Sequence, residues 1–284
     1  MSQVTPIREE TTKPSPPRIL VVVAHPDDEY HFAVTLFRIA RELGGTVEQA
    51  IITDGVGGHR YSQLAEVLYG LPLRDSGTHL RDVRRAESAV SGHVLGIRQH
   101  FFLDQPDTGF TRKAADAITD WNHYAVTEAL DRLLETGDYD FVFTLLPSHD
   151  THGHHKAAAM LTLEAVNRLP EESRPVVLAG EAVADNWVGA KRSAPVHPSL
   201  RIASQTYSVS RTLTLPADPA LNYQIIANWV VAAHKSQGLF QMESGRHNAE
   251  LFWRFEGGVH ADIRTEALFR QLDSSFSQPV SVPA

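Results

Sequence analysis

There is no cysteine anywhere in the chain. That absence removes disulfides, thiolate nucleophiles and cysteine metal ligands together, so any metal has to be held by histidine, aspartate or glutamate. Positive charge is scarce as well: 26 Lys and Arg against 34 Asp and Glu leave a formal charge of -8. Such a balance argues against a nucleic-acid backbone or an anionic membrane as the main partner. No apolar run is long enough to cross a bilayer. The opening MSQVTPIREETTKPSPPR is polar and proline-rich and lacks an apolar signal segment. It reads as a flexible tail, residues 1–17, on a cytoplasmic protein. Residues 274–284 read as a second tail. What the chain does have is histidine: fifteen in all, four of them between 149 and 155.

Apolar runs alternate with helical patterns. RILVVVA (18–24), VEQAIIT (47–53), HFFL (100–103), DFVFTLLP (140–147) and PVVLAG (175–180) read as strands. Between them, Phe32, Leu36, Ile39, Ala40 and Leu43 recur at helical spacing, as do residues 79–95, the stripe Ile118 to Leu133, and a segment from Gly153 onward. This alternation predicts an α/β fold, a Rossmann-like three-layer sandwich with a mostly parallel sheet and right-handed crossovers. Residues 18–273 are expected to form one domain, with 184–273 as its C-terminal extension. There ADNWVGAKRSAPVHPSL reads as a loop, SQTYSVS and RTLTL as antiparallel edge strands, and 217–235 as a helix.

In such sheets ligands bind beyond the carboxyl ends of the strands. His25 to Glu29 follow the first strand, Asp54 the second, Asp104 and Asp107 the third, and His149 to His155 the fourth. All four polar clusters fall on one edge.

Two clusters carry the chemistry. VVVAHPDDEYH (21–31) drives an apolar strand into three consecutive acids. Helix capping accounts for one or two of them, because acids suit the positive end of a helix, but it does not call for His25. In SHDTHGHHKAA (148–158), His152 and His155 are three apart and share a face as the helix starts, with His154 turned away. A helix start favours neutral imidazole, the form that binds metal. His25, Asp28 and His155 would then make a two-histidine, one-aspartate set with an open fourth position, as in catalytic zinc sites.

AHPDDE after a first strand, followed by H-x-x-H before a later helix, resembles the N-acetylglucosaminyl-phosphatidylinositol de-N-acetylase family, also called LmbE-like deacetylases. The likeness spans roughly residues 18–165, with a weaker echo at AHKSQ (233–237). It implies that His25, Asp28 and His155 bind one zinc ion per chain and that Asp27 is the general base. It implies that His152 stabilises the oxyanion or acts as an acid, and that Arg84 and Glu87 of RRAE, Asp107 of PDTG and Asp54 of TDGVGG border the substrate. Two departures stand out. The family's aspartate in the second motif is His154 here, which leaves Asp150 as the candidate to orient His152. The usual Gly-Gly-Thr after the first motif is Ala33-Val34-Thr35.

Without the resemblance, Arg84 and Glu87 read as a surface i, i+3 ion pair, Asp107 as a turn residue and His234 as a core histidine. The stretch 54–78 is long for a loop and reads as a lid. Its Tyr61, Leu64, Leu68, Tyr69, Leu71 and Leu73 either meet a sugar or an apolar aglycone, or pack down on the protein; packing is the expectation for most of them. The resulting expectation is a zinc-dependent hydrolase that removes an N-acetyl or other N-acyl group from an N-acetylglucosamine-type conjugate. The alternatives are cleavage of another amide, such as a thiol conjugate, and a metal-independent sugar- or nucleotide-binding module. The partner is a small N-acylated sugar or glycoconjugate, and self-association is left open.

Overall fold

The computed structural model describes residues 15–184, 202–242, 246–258 and 260–274. Most of the leading tail, the closing stretch from 275, and the loop bearing Trp187 lie outside the described residues. Five parallel strands run in the order β3-β2-β1-β4-β5: β1 (Arg18–Val23), β2 (Thr46–Thr53), β3 (Ile97–Gln105), β4 (Phe141–Leu145) and β5 (Val176–Val183). Two antiparallel strands extend the sheet beyond β5. They are β9 (Ala249–Phe255) and, outside it, β6 (Ile202–Ser210). The seven-stranded sheet is α/β and mostly parallel, as expected.

The interior strand shows why its sequence is an unbroken apolar run. Successive side chains of a strand point to opposite faces, and both faces here are covered. Ile19, Val21 and Val23 join one buried cluster with Phe32, Phe143 and Phe252. Leu20, Val22 and Ala24 join the other with Trp121, Val126 and Leu130. Full burial of such a side chain contributes roughly 1.5–3 kcal/mol, so β1 anchors both layers. Helices α1 (Ala33–Phe37), α3 (Gly77–Leu95), α7 (Gln224–Ala233) and α8 (Ala261–Ser274) supply the first cluster; α4 (Ala114–Asp120), α5 (His123–Gly137) and α6 (Gly153–Arg168) supply the second. A short helix, α2 (Gln63–Tyr69), lies in the long connection after β2.

Some local expectations need correction. The segment 217–235 is not one helix. Asp218–Asn222 is a strand, β8, paired with β7 (Thr214–Leu215) in a small ribbon, and the helix occupies Gln224–Ala233. RTLTL therefore gives only two residues to that ribbon, whereas SQTYSVS does lie in the sheet's edge strand β6. The strand β9 inserts between β5 and β6 and is tied to the start of the molecule by a carboxylate. Glu250 accepts hydrogen bonds from the backbone N–H of Val34 (2.8 Å) and Thr35 (2.9 Å), and its buried partner Arg211 donates at 3.0 Å. The exposed amides opening α1 are thus satisfied by a residue more than two hundred positions away.

Candidate metal centre and active site

The chain leaves β1 in a turn that serves the site rather than a helix. The Asp28 carboxylate folds back on the strand end and accepts from the backbone N–H of Ala24 (3.1 Å) and His25 (2.8 Å). Asp27 makes no side-chain cap to the 3-10 turn Asp28–Phe32 that follows. Its φ is 135°, a strained backbone for a residue with a Cβ, typically worth of the order of 1–3 kcal/mol and found where function demands it. The capping account of HPDDE therefore fails.

At the other strand end, α6 brings His155 to Asp28. His155 Nε2 lies 3.1 Å from Asp28 Oδ1 and 3.1 Å from His25 Nδ1. The donor atoms of His25, Asp28 and His155 all lie within 4.8 Å of one another. Two imidazoles and a carboxylate pointing at one spot suit a divalent ion with N and O ligands. The electrostatics agree that this spot wants positive charge. Burial alone would lower the His25 pKa, yet Asp107, Asp28 and Asp27 push it up to about 9. Burial likewise opposes ionisation of Asp28, but His155 and His25 hold it well below the ordinary carboxylate range. The residues fit a bound metal.

Asp27 sits beside this set. Burial raises its pKa to about 6, against the pull of Arg84, with Asp28 adding to the rise. Arg84 is almost wholly buried. It donates to the carbonyls of Gly55 (2.6 Å) and Pro26 (2.6 Å), and its Nη2 lies 2.9 Å from Asp27. It is neither a surface residue nor paired with Glu87. Glu87 instead accepts from Ser236 N and Oγ, each at 2.6 Å, and from Tyr69 OH at 2.9 Å.

His152 occupies the cap of α6 and accepts from the backbone N–H of His154 through Nδ1 (3.0 Å). Burial and the neighbouring His25, His155 and His154 push its pKa down to about 3. The ring is therefore neutral with its proton on Nε2, ready to donate. Asp150 does not orient it: that carboxylate is exposed and meets His149 at 3.4 Å. The backbone does the orienting.

His154 is not turned away. It is fully buried, with Nδ1 3.0 Å from His25 Nε2, its ring centre 5.5 Å from that of Trp121, and Nε2 3.5 Å from Thr108 Oγ1. Burial, helped by His25, lowers its pKa to about 4. A neutral His154 can accept the Nε2 proton of His25, so that a metal would take the place of the other proton at Nδ1, beside Asp28 and His155. Metal-binding histidines are commonly fixed by such a partner on the second nitrogen. His25, His152 and His154 form a further group within ligand distance, but it lacks a carboxylate and includes a residue sealed from the cleft.

Asp107 lines the cleft, with Oδ1 accepting from Gly109 N at 3.0 Å and lying 3.5 Å from His154 Nδ1. Gly57 passes so close to this carboxylate that a Cβ there would collide with it. Asp54 does not line the cleft. Its Oδ1 accepts from Val56 N (3.0 Å) and Asp107 N (3.1 Å), so it joins the loops after β2 and β3. His234 is buried, as read, but as the 2.6 Å partner of Glu29, whose other contacts include Ser91, Gln49 and the backbone N–H of Asp27. Gln237 also lines the cleft and was not singled out from the sequence. The AHKSQ echo was the available signal: His234, Ser236 and Gln237 all reach the site or its supports.

The cleft measures about 310 Å³. Fold and site together place a candidate metal-binding set, His25, Asp28 and His155, beside a second carboxylate and a histidine at the strand-end edge. The sequence profile of the PIG-L family, described as GlcNAc-PI de-N-acetylase, matches residues 20–166, more than half the chain. The chain belongs to this family of metal-dependent deacetylases. A probable N-acetyl-alpha-D-glucosaminyl L-malate deacetylase 2 of Bacillus cereus is 26% identical over 161 residues, 57% of this chain and 66% of that relative, just under two thirds of its length. The zinc-inhibited form of teicoplanin deacetylase Orf2 superposes with a TM-score of 0.59 at 16% identity, covering 85% of this chain and 98% of the other. GalB, the 4-carboxy-2-hydroxymuconate hydratase of Pseudomonas putida, superposes at 0.54 with 16% identity, covering 86% and 98%. A fold that also hosts a hydratase does not by itself fix the reaction.

Proposed function

We propose that this chain is a zinc-dependent N-deacylase that removes an acetyl or similar acyl group from an N-acetylglucosamine-type sugar conjugate, with His25, Asp28 and His155 holding one ion per chain. The observation that carries this reading is the convergence of those three donors beside the buried, strained Asp27 at the floor of the cleft. When bound, zinc supplies Lewis acidity and brings the pKa of water down to about 7.

The chain's own residues do the rest. Asp27 takes a proton from the water that attacks the amide carbon; its raised pKa suits a base working near neutrality. Arg84 keeps that carboxylate aimed while two backbone carbonyls hold the guanidinium. His152 donates from Nε2 to the oxygen on which charge develops, a contact typically worth about 3 kcal/mol. As the C–N bond breaks, the proton on Asp27 passes to the leaving nitrogen, giving a free amine and a carboxylate. Asp107, on the cleft wall, accepts from a sugar hydroxyl, and Asp54 fixes the loop that carries it.

The test is release of primary amine from N-acetylglucosamine conjugates by zinc-loaded protein, wild type against Asp27→Asn. Amine release that depends on Asp27 supports the reading. Metal uptake without amine release, together with hydration of an unsaturated acid, would shift it to hydratase chemistry of the GalB kind.

A further inference from the structure

The expectation that the apolar residues of the 54–78 stretch mostly pack down holds for only two of the six, Tyr69 and Leu73, while Tyr61, Leu64, Leu68 and Leu71 are exposed. Tyr69 is partly covered and Leu73 is buried, joining Ala65, Leu80 and Val83 in a small cluster of their own. Tyr61 is 47% exposed, Leu64 74%, Val67 81% and Leu68 66%. Their spacing of three and four places them on one side of the segment formed by the 3-10 turn Val56–Tyr61 and α2. The inner side is already packed, so the outer apolar face is not a failure of folding.

This face begins at the cleft. Tyr61 lines it, and so does Phe110 from the loop after β3, itself 66% exposed with its ring edge-on to His152 at 5.0 Å. At about 310 Å³ the cleft is at the small end for ligand sites. Tyr61 and Phe110 are the aromatic residues of the cleft lining, so they are where an apolar group joined to a sugar at the metal would meet the protein first.

We propose that the rim is an aglycone subsite, in which the substrate's apolar portion, a hydrocarbon chain or aromatic group, lies across Tyr61, Leu64 and Leu68 and against Phe110. The proposal rests on the deacylase reading for the seating of the sugar. Continuity with the cleft favours a substrate over a second copy of the chain. The net charge of -8 disfavours an anionic lipid surface.

The experiment compares the methyl and octyl β-glycosides of N-acetylglucosamine, which differ only in the aglycone, on wild type and on Leu64→Ser/Leu68→Ser. The wild type should prefer the octyl glycoside by at least about tenfold in kcat/KM, and the variant should cut this to about twofold with the methyl glycoside unaffected. Equal rates on both glycosides in the wild type, or a preference that survives in the variant, would overturn the subsite. If neither glycoside is cleaved, the deacylase reading fails separately, and calorimetric titration with octyl β-glucoside below its micelle concentration decides the subsite. Binding lost in the variant supports it, and absence of binding by the wild type overturns it. A wild-type dimer that the variant breaks, or vesicle binding by the wild type that the variant loses, would assign the face to another copy or to a membrane and overturn the proposal.

Discussion

The two sides of the His25 ring make a useful contrast. On the Nδ1 side stand Asp28 and His155, with a cleft beside them. On the Nε2 side stand His154, buried against Trp121, and the Asp107 carboxylate, 3.9 Å from that nitrogen. One imidazole thus faces an accessible ligand set on one edge and, on the other, a closed histidine with the Asp107 carboxylate beside it. The open side has the makings of a reactive metal position, and the closed side decides which nitrogen carries the proton. A ligand is defined as much by what holds its far edge as by what its near edge binds.

Several substitutions break or sharpen this contrast. Removing a carboxylate or imidazole from the open side has the largest effect: His155→Ala should abolish both metal binding and turnover, read by metal analysis and amine release. Asp27→Asn should keep the metal and lose about a hundredfold or more in kcat, the usual scale of a general base. On the closed side, His154→Leu fills the space but accepts no proton from His25. Zinc affinity, measured by chelator competition, should fall about 10–100-fold, with partial recovery in His154→Asn.

Beneath both sides, the Glu29–His234 pair should set a pH dependence of stability rather than of chemistry. Glu29 is held at about 2 by His234 and Ser91 against burial. Its contribution, up to roughly 3 kcal/mol, should be present above the ordinary carboxylate range and be lost as pH falls toward 2. His234 is raised by Glu29 despite burial, so its share should be full at low pH, where it is charged in both states, and fade as pH rises through its folded pKa. Urea unfolding of His234→Gln across acid pH should show a shallower fall than wild type. Smallest of all, Asp150→Ala should change neither kcat nor metal content, because that carboxylate is exposed and meets His149 outside the cleft.

Much of the candidate site's grouping was legible because it obeys the rule that strand ends at the carboxyl edge of a parallel sheet meet at one place. His25, Asp28, His155 and Asp107 needed only that rule and a recognised motif. Helical spacing counted from His152 turns His154 away, but the backbone of His152 (φ -52°, ψ 141°) is not helical. The count properly begins at Gly153. Arg84 and Glu87 lie three apart on a helix and look like a surface pair, yet both are buried. That burial is tertiary and invisible to local spacing. The same holds for Glu250 capping α1, and for β8, whose composition reads as helix until its ribbon partner is seen. Tyr61 and Leu64 illustrate the converse: apolar character suggested burial, whereas the inner face of their segment was already filled.

The most direct test is the zinc content of wild type, Asp28→Asn and His152→Ala after equilibration with zinc and gel filtration. The account predicts one ion per chain in wild type and His152→Ala, and none in Asp28→Asn. Zinc retained by Asp28→Asn but lost from His152→Ala would place the ion on the other side of His25 and contradict the assignment.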